Sequence, residues 1–225
     1  MSISPLLLAG LIAAAPLPLS RPHAPARSRG SARPFAHFPE IDQLRERAPD
    51  GGLSLNAQMN CVPASIAAAL EFLTGRSYSG EAIKAAVYGA AYIGPTQIYR
   101  YLAWVRTQGV HMRPVLSHDP QVLVRSLRAL LARGVPVVLS VPGDPSRAPL
   151  EALHPRGVTH VVVAAGFDAS GNIRAMNPWG GTWLTGSDAF WAARICYGEL
   201  WAMERQAPAS PAPPRIRAAT VVTQR

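Results

Sequence analysis

A chain of 225 residues can hold one domain with its own apolar core plus tails, so folding does not call for a disulfide framework or a metal staple. Two cysteines, with no CxxC and no His/Cys cluster at zinc spacing, exclude a disulfide scaffold and a zinc module. The formal charge of +9 sits in the flanks, with net +3 over residues 1–40 and +4 over 205–225 against +2 for 41–204, a distribution that argues against nucleic-acid binding.

Residues 1–17 read as an apolar leader or signal peptide. Their run from Ser4 to Leu17 is too short to span a bilayer unaided, so no stable membrane insertion is expected. Ala13 to Ala15 offer a small-residue cleavage site, but Arg21, Arg27, Arg29 and Arg33 follow the run and oppose export. A secreted or cell-envelope location is therefore set beside cytoplasmic and virion-associated ones. Residues 18–37, rich in Pro, Arg, Ser and Ala, read as a disordered linker, and 206–225 as a disordered basic tail. The domain is expected over 38–205.

Within it, Ile41 to Arg47 suggests a short helical turn, and Asp50-Gly51-Gly52 a chain reversal. The stretch from Asn60 to Gly75 predicts a helix. Asn60 would cap it, Pro63 sits in the first turn where its missing N–H costs nothing, and Gly75 ends it. Ile66, Ala69, Leu70 and Leu73 give one apolar face. Ser79 starts a second helix to Tyr88, and Pro95 to Gln108 reads as a third. Val110 to Leu116 has strand character. Asp119-Pro120 opens a fourth helix, closed by Gly134, with Val122, Leu123, Leu127, Leu130 and Leu131 facing a core. Val135 to Val141 reads as a strand buried on both faces, and a polar loop, 142–157, follows. Val158 to Gly166, the turn Asp168–Asn172 and Ile173 to Asn177 form a hairpin. Trp183-Leu184 adds a short strand, Phe190-Trp191 a short helix, and Cys196 to Met203 a last strand. Helices first and then a mainly antiparallel sheet make an α+β fold.

Cys61 begins the first long helix, where unpaired N–H groups and the dipole favour thiolate and lower the thiol pKa. His160 interrupts an apolar strand. Alone, each would read as a core residue. The hairpin, however, brings the His160 and Asn177 ends together, so that an Asn carbonyl can fix the imidazole tautomer and aim the other nitrogen at a thiol. Cys61, His160 and Asn177 thus supply nucleophile, base and orienter for acyl transfer through a thioester, with the Cys61 N–H and one further donor for the oxyanion. Cys196 reads as a core residue. A disulfide between it and Cys61 would abolish the proposal. His111, His118 and His154 read as surface groups, with His154 in reserve because its loop leads into the His160 strand.

The segments Cys61-Val62-Pro63-Ala64-Ser65, His160-Val161-Val162-Val163 and Asn177-Pro178-Trp179 together resemble papain-like cysteine peptidases. Within them the chain resembles the branch of bacteriocin-leader-processing peptidases with their stand-alone bacterial and phage relatives, and the resemblance covers about residues 54–203. It implies a papain-like fold, with N-terminal helices packed on a mainly antiparallel sheet, and thiol-dependent hydrolysis of a peptide or protein, cell-wall peptide included. No cofactor and no metal are implied. An acyltransferase on the same triad, or an inactive peptide-binding or virion/envelope module, are the alternative functions. Val62 stands where many relatives have Gly, and Asn177 where Asp is commoner. The family's oxyanion Gln lies several residues before the nucleophile. Gln58, three before Cys61, is the candidate here if the loop turns sharply, with Asn56 and Asn60 as alternatives. Trp179 is assigned to cover the Asn–His contact from water. The loop 142–157, with Asp144, Arg147, Glu151 and Arg156, borders the expected cleft and would select charged substrates.

Overall fold

A computed structural model describes residues 35–47, 52, 54, 57–143 and 159–206. The apolar leader, most of the linker, Asp50-Gly51, nearly all of the 142–157 loop with His154, and the basic tail after Gln206 lie outside them. Packing already begins at Phe35, inside the stretch read as linker. Its ring is buried and stacks on Phe72, with centroids 5.0 Å apart.

The helices are α1 (Cys61–Thr74), α2 (Gly80–Tyr88), α3 (Leu102–Thr107), α4 (Pro120–Ala132) and α5 (Asp188–Ala192). The strands are β1 (Val110–Leu116), β2 (Val137–Pro142), β3 (Thr159–Phe167), β4 (Ile173–Asn177), β5 (Thr182–Gly186) and β6 (Glu199–Arg205). Short 3₁₀ turns occupy Gln43–Arg45, Ala57–Met59 and Ile98–Tyr101.

The six strands form one sheet in the order β1-β6-β2-β3-β4-β5, with every pairing antiparallel. β2 and β3 are buried along nearly their whole length, so both faces of the sheet centre are covered. α1 and α4 both pack on these central strands. Helices on a mainly antiparallel sheet are the α+β architecture that the element order suggested.

Local signals account for most of the elements. Ser79 caps α2 by accepting from Ala82 N–H, and Asp119 caps α4 by accepting from Gln121 N–H, with Pro120 in the first turn. Gly75 ends α1 at φ +72, a left-handed conformation that suits glycine. In the β3–β4 turn one Asp168 carboxylate oxygen accepts from both Ser170 and Asn172 N–H.

Four expectations need correction. Asn60 stands at the α1 N-cap position but makes no cap bond, because its amide is drawn to two carboxylates. α1 is buried all round from Val62 to Leu70, since the sheet covers one side and α2 another. On α4, Val122 is exposed and Val124 takes the buried place. The helix read from Pro95 begins only at Ile98, as a 3₁₀ turn, because Gln97 N–H and Pro95 C=O are taken by the hydroxyls of Tyr88 and Tyr92.

Candidate active site

The residue before α1 is held from below. Asn60 is fully buried, and its Nδ2 donates to Glu81 Oε2 at 2.6 Å and to Glu46 Oε2 at 3.4 Å. Glu81 also accepts from Ser54 Oγ and from Lys84 Nζ, at 2.7 and 2.9 Å. Lys84, the one lysine of the sequence, is fully buried. The two carboxylates respond oppositely. Burial pushes Glu46 up to about 7, against the bonds it receives from Gly80 N–H and Asn60. For Glu81 the burial cost is outweighed by Lys84, Ser54 and Asn60, which hold it below the usual carboxylate range. No local sequence signal marks this cluster, because its members come from four separate segments.

α1 is fastened to β3 by Ser65 Oγ, which donates to Val161 C=O at 3.1 Å. Ser65 lies one turn after Cys61, so the same fastening sets the Cys61 end of the helix beside the His160–Val161 end of the strand. Cys61 is half-buried and free. Burial raises its thiol pKa, with the backbone N–H groups of Val161, Val62 and Cys61 itself pulling the other way. The depression expected from the helix start is outweighed by desolvation, the largest influence on this thiol.

On β3 and β4 the register pairs Val163 with Met176. Extended by one residue it sets Asn177 opposite Val162, which makes His160 and Asn177 diagonal neighbours on one face. His160 Nε2 and Asn177 Oδ1 lie 2.6 Å apart, both residues being buried. The same Oδ1 accepts from Trp179 N–H at 3.0 Å, and Asn177 Nδ2 faces Thr182 Oγ1 at 3.4 Å. Those partners fix the amide with its oxygen toward the ring. Nε2 therefore carries the proton, and Nδ1 bears the basic lone pair. Trp179 also meets the His160 ring edge to face, with centroids 6.4 Å apart.

A cleft of about 580 Å³ is lined by Cys61 and His160 together with Gln58 and Trp179. Gln58 is exposed in the 3₁₀ turn Ala57–Met59, so the chain does reverse there. Asn60 points away into the carboxylate cluster, which removes it as an oxyanion alternative, and Asn56 lies outside the described residues. Val62 also lines the cleft and is buried.

Gln43 is the second group that the sequence reading missed. It is fully buried, its backbone N–H donates to Pro178 C=O at 2.8 Å, and its Nε2 donates to Ala57 C=O at 2.8 Å. One residue thus ties the turn after Asn177 to the turn that carries Gln58. Asp42 Oδ1 adds a bond from Gly180 N–H at 3.1 Å.

Cys196 is half-buried rather than a core residue. It lies in the turn before β6 and forms no disulfide with Cys61. His111 and His118 are exposed. Among the described residues no three His, Cys, Asp or Glu side chains gather as a metal site requires, and no helix is long and apolar enough to cross a membrane.

Compared with known proteins, residues 37–197 match the model of the Peptidase_C39 like family. Among solved structures the chain is similar to the peptidase domain of Streptococcus ComA, described as a bi-functional ABC transporter involved in a quorum sensing pathway. Identity is 13% with a TM-score of 0.48, over 66% of this chain and 93% of that one. No curated protein matches the chain.

Proposed function

The chain belongs to the Peptidase_C39 like family, a branch of the papain-like cysteine peptidases, and on that footing we propose that it hydrolyses peptide or amide bonds through Cys61, His160 and Asn177. The observation that carries this reading is the 2.6 Å contact between His160 Nε2 and Asn177 Oδ1, in a residue pair whose imidazole lines the same cleft as the Cys61 thiol.

The chemistry follows from the proton positions. With Nε2–H given to Asn177, Nδ1 takes the thiol proton, and an ion pair replaces a thiol that burial keeps neutral. The thiolate attacks the carbonyl carbon of the substrate, and the C=O pair moves onto oxygen. Gln58 and the Cys61 N–H donate to that oxyanion. Collapse expels the amine, which takes the proton from Nδ1, and a thioester remains on Cys61. Water then attacks the thioester with His160 as base, and the acid is released.

Iodoacetamide alkylation of the native chain, followed by peptide mass mapping, tests the pair. Cys61 is expected to react faster than Cys196, and His160→Ala should abolish the difference. Equal labelling of the two thiols would sink the reading. Cys61→Ala should lower peptide turnover by at least about a thousandfold with the fold retained. Product analysis with an added amine separates hydrolysis from acyl transfer.

A further inference from the structure

One carboxylate on the cleft wall stands apart from the others among the described residues. Every other described Asp or Glu side chain holds an arginine, the lysine, or a polar N–H or O–H group. Glu199 has no such partner among the described residues. It is half-buried at the start of β6 and lines the cleft. The sequence carries 21 arginines and one lysine, yet no described arginine or lysine lines that cleft.

Its neighbours are aromatic. Trp201, two residues along β6, shares the strand face of Glu199 and lines the cleft. It is 7% exposed, and its Nε1 has no partner among the described residues. Tyr197 lines the cleft too and is 69% exposed. Its φ of +61 makes it the one non-glycine among the described residues in the left-handed region. Such a conformation persists only when the surroundings hold it. Here Cys196 N–H bonds to Ser140 C=O and Ser117 N–H to Gly198 C=O, each at 2.9 Å. Gly198 is itself obligatory, since a Cβ would lie 2.6 Å from Ser117 C=O.

We propose that Tyr197, Glu199 and Trp201 form a subsite for a cationic side chain of the substrate, arginine or lysine. A carboxylate on a cleft wall shared with an exposed tyrosine offers an ion pair together with a ring face for a planar cation. That the ligand is a peptide rests on the peptidase reading; the charge preference does not.

The test uses the full chain carrying Cys61→Ala, which binds without turnover. N-acetyl-Gly-Arg-Gly-amide and its citrulline counterpart, the same shape without the charge, are titrated by tryptophan fluorescence. The arginine peptide is expected to bind about three- to tenfold more tightly at low salt, less so at high salt. Glu199→Gln should erase that difference while keeping citrulline affinity, and Glu199→Lys should turn the preference toward a glutamate peptide. Equal affinities in the parent, absence of saturable arginine-peptide binding, or a preference that survives Glu199→Gln would each overturn the subsite. Alkylation of Cys61 in the unmodified chain reads the peptidase proposal separately, so either can fall alone.

Discussion

Asn177 accepts two hydrogen bonds at one oxygen, from His160 and from Trp179 N–H, and that oxygen decides which imidazole nitrogen is basic. The position needs an acceptor there, not an amide as such. Asn177→Asp keeps the acceptor and is expected to retain kcat/KM within about tenfold. Asn177→Leu removes it, frees the ring to adopt the other tautomer, and should cost about a hundredfold or more in kcat. The comparison of kcat in the two variants checks this; equal losses would mean that Asn177 only fills space.

Glu46 makes a second prediction at this scale. Its pKa rises from 4.5 to about 7 on folding, so between those values the folded chain binds the extra proton. Stability contributed by this group is full below pH 4.5, falls as pH rises toward 7, and the loss amounts to about 3 kcal/mol above it. Glu46→Gln keeps an oxygen for Gly80 N–H and removes the charge. Urea midpoints at pH 5 and pH 8 should therefore differ less in Glu46→Gln than in the parent. An unchanged difference would place the titration elsewhere. Glu81 works in the opposite sense, since its lowered pKa stabilises at neutral pH and is lost in acid.

At the scale of elements, the segment from Glu40 to Glu46 acts as a strap. It spans the turn after β4 through Gln43 and Asp42, the turn before α1 through Gln43, and the start of α2 through Glu46. The elements carrying Asn177, Gln58 and Cys61 are thereby coupled through one short piece of chain. Gln43→Leu is nearly isosteric but removes one of the two hydrogen bonds at the Ala57 carbonyl, which keeps the one from Asn60 N–H. It should cost about 1 kcal/mol of stability and lower Tm by about 2–4 °C. If Gln58 serves the oxyanion, kcat should fall while KM and the alkylation rate of Cys61 stay near the parent values. A change in KM alone would assign the strap to substrate binding instead.

Across the molecule, the parts that the sequence disclosed are those governed by neighbours in the chain. α1, α4 and the β3–β4 hairpin follow from caps, apolar spacing and the Asp168 turn, and the hairpin alone suffices to bring His160 near Asn177. Cys61 was reached because a helix start is a local property. Gln43, the Glu46–Glu81–Lys84 cluster and the free Glu199 were not legible, because each is defined by partners far along the chain, or by their absence. The Cys61 thiol departs from its local expectation for the same reason: the helix start is local, whereas its burial is tertiary.

The buried lysine has a practical corollary. Lys84 carries the one side-chain amine of the sequence, and it sits with no exposure under the α1–α2 junction, bonded to Glu81. Amine-directed acylating reagents meet no side-chain target while that junction is closed. Acylation of Lys84 would then proceed only as fast as the junction opens. The protein thus contains its own reporter of any opening beside Cys61, and no foreign residue has to be introduced to observe it.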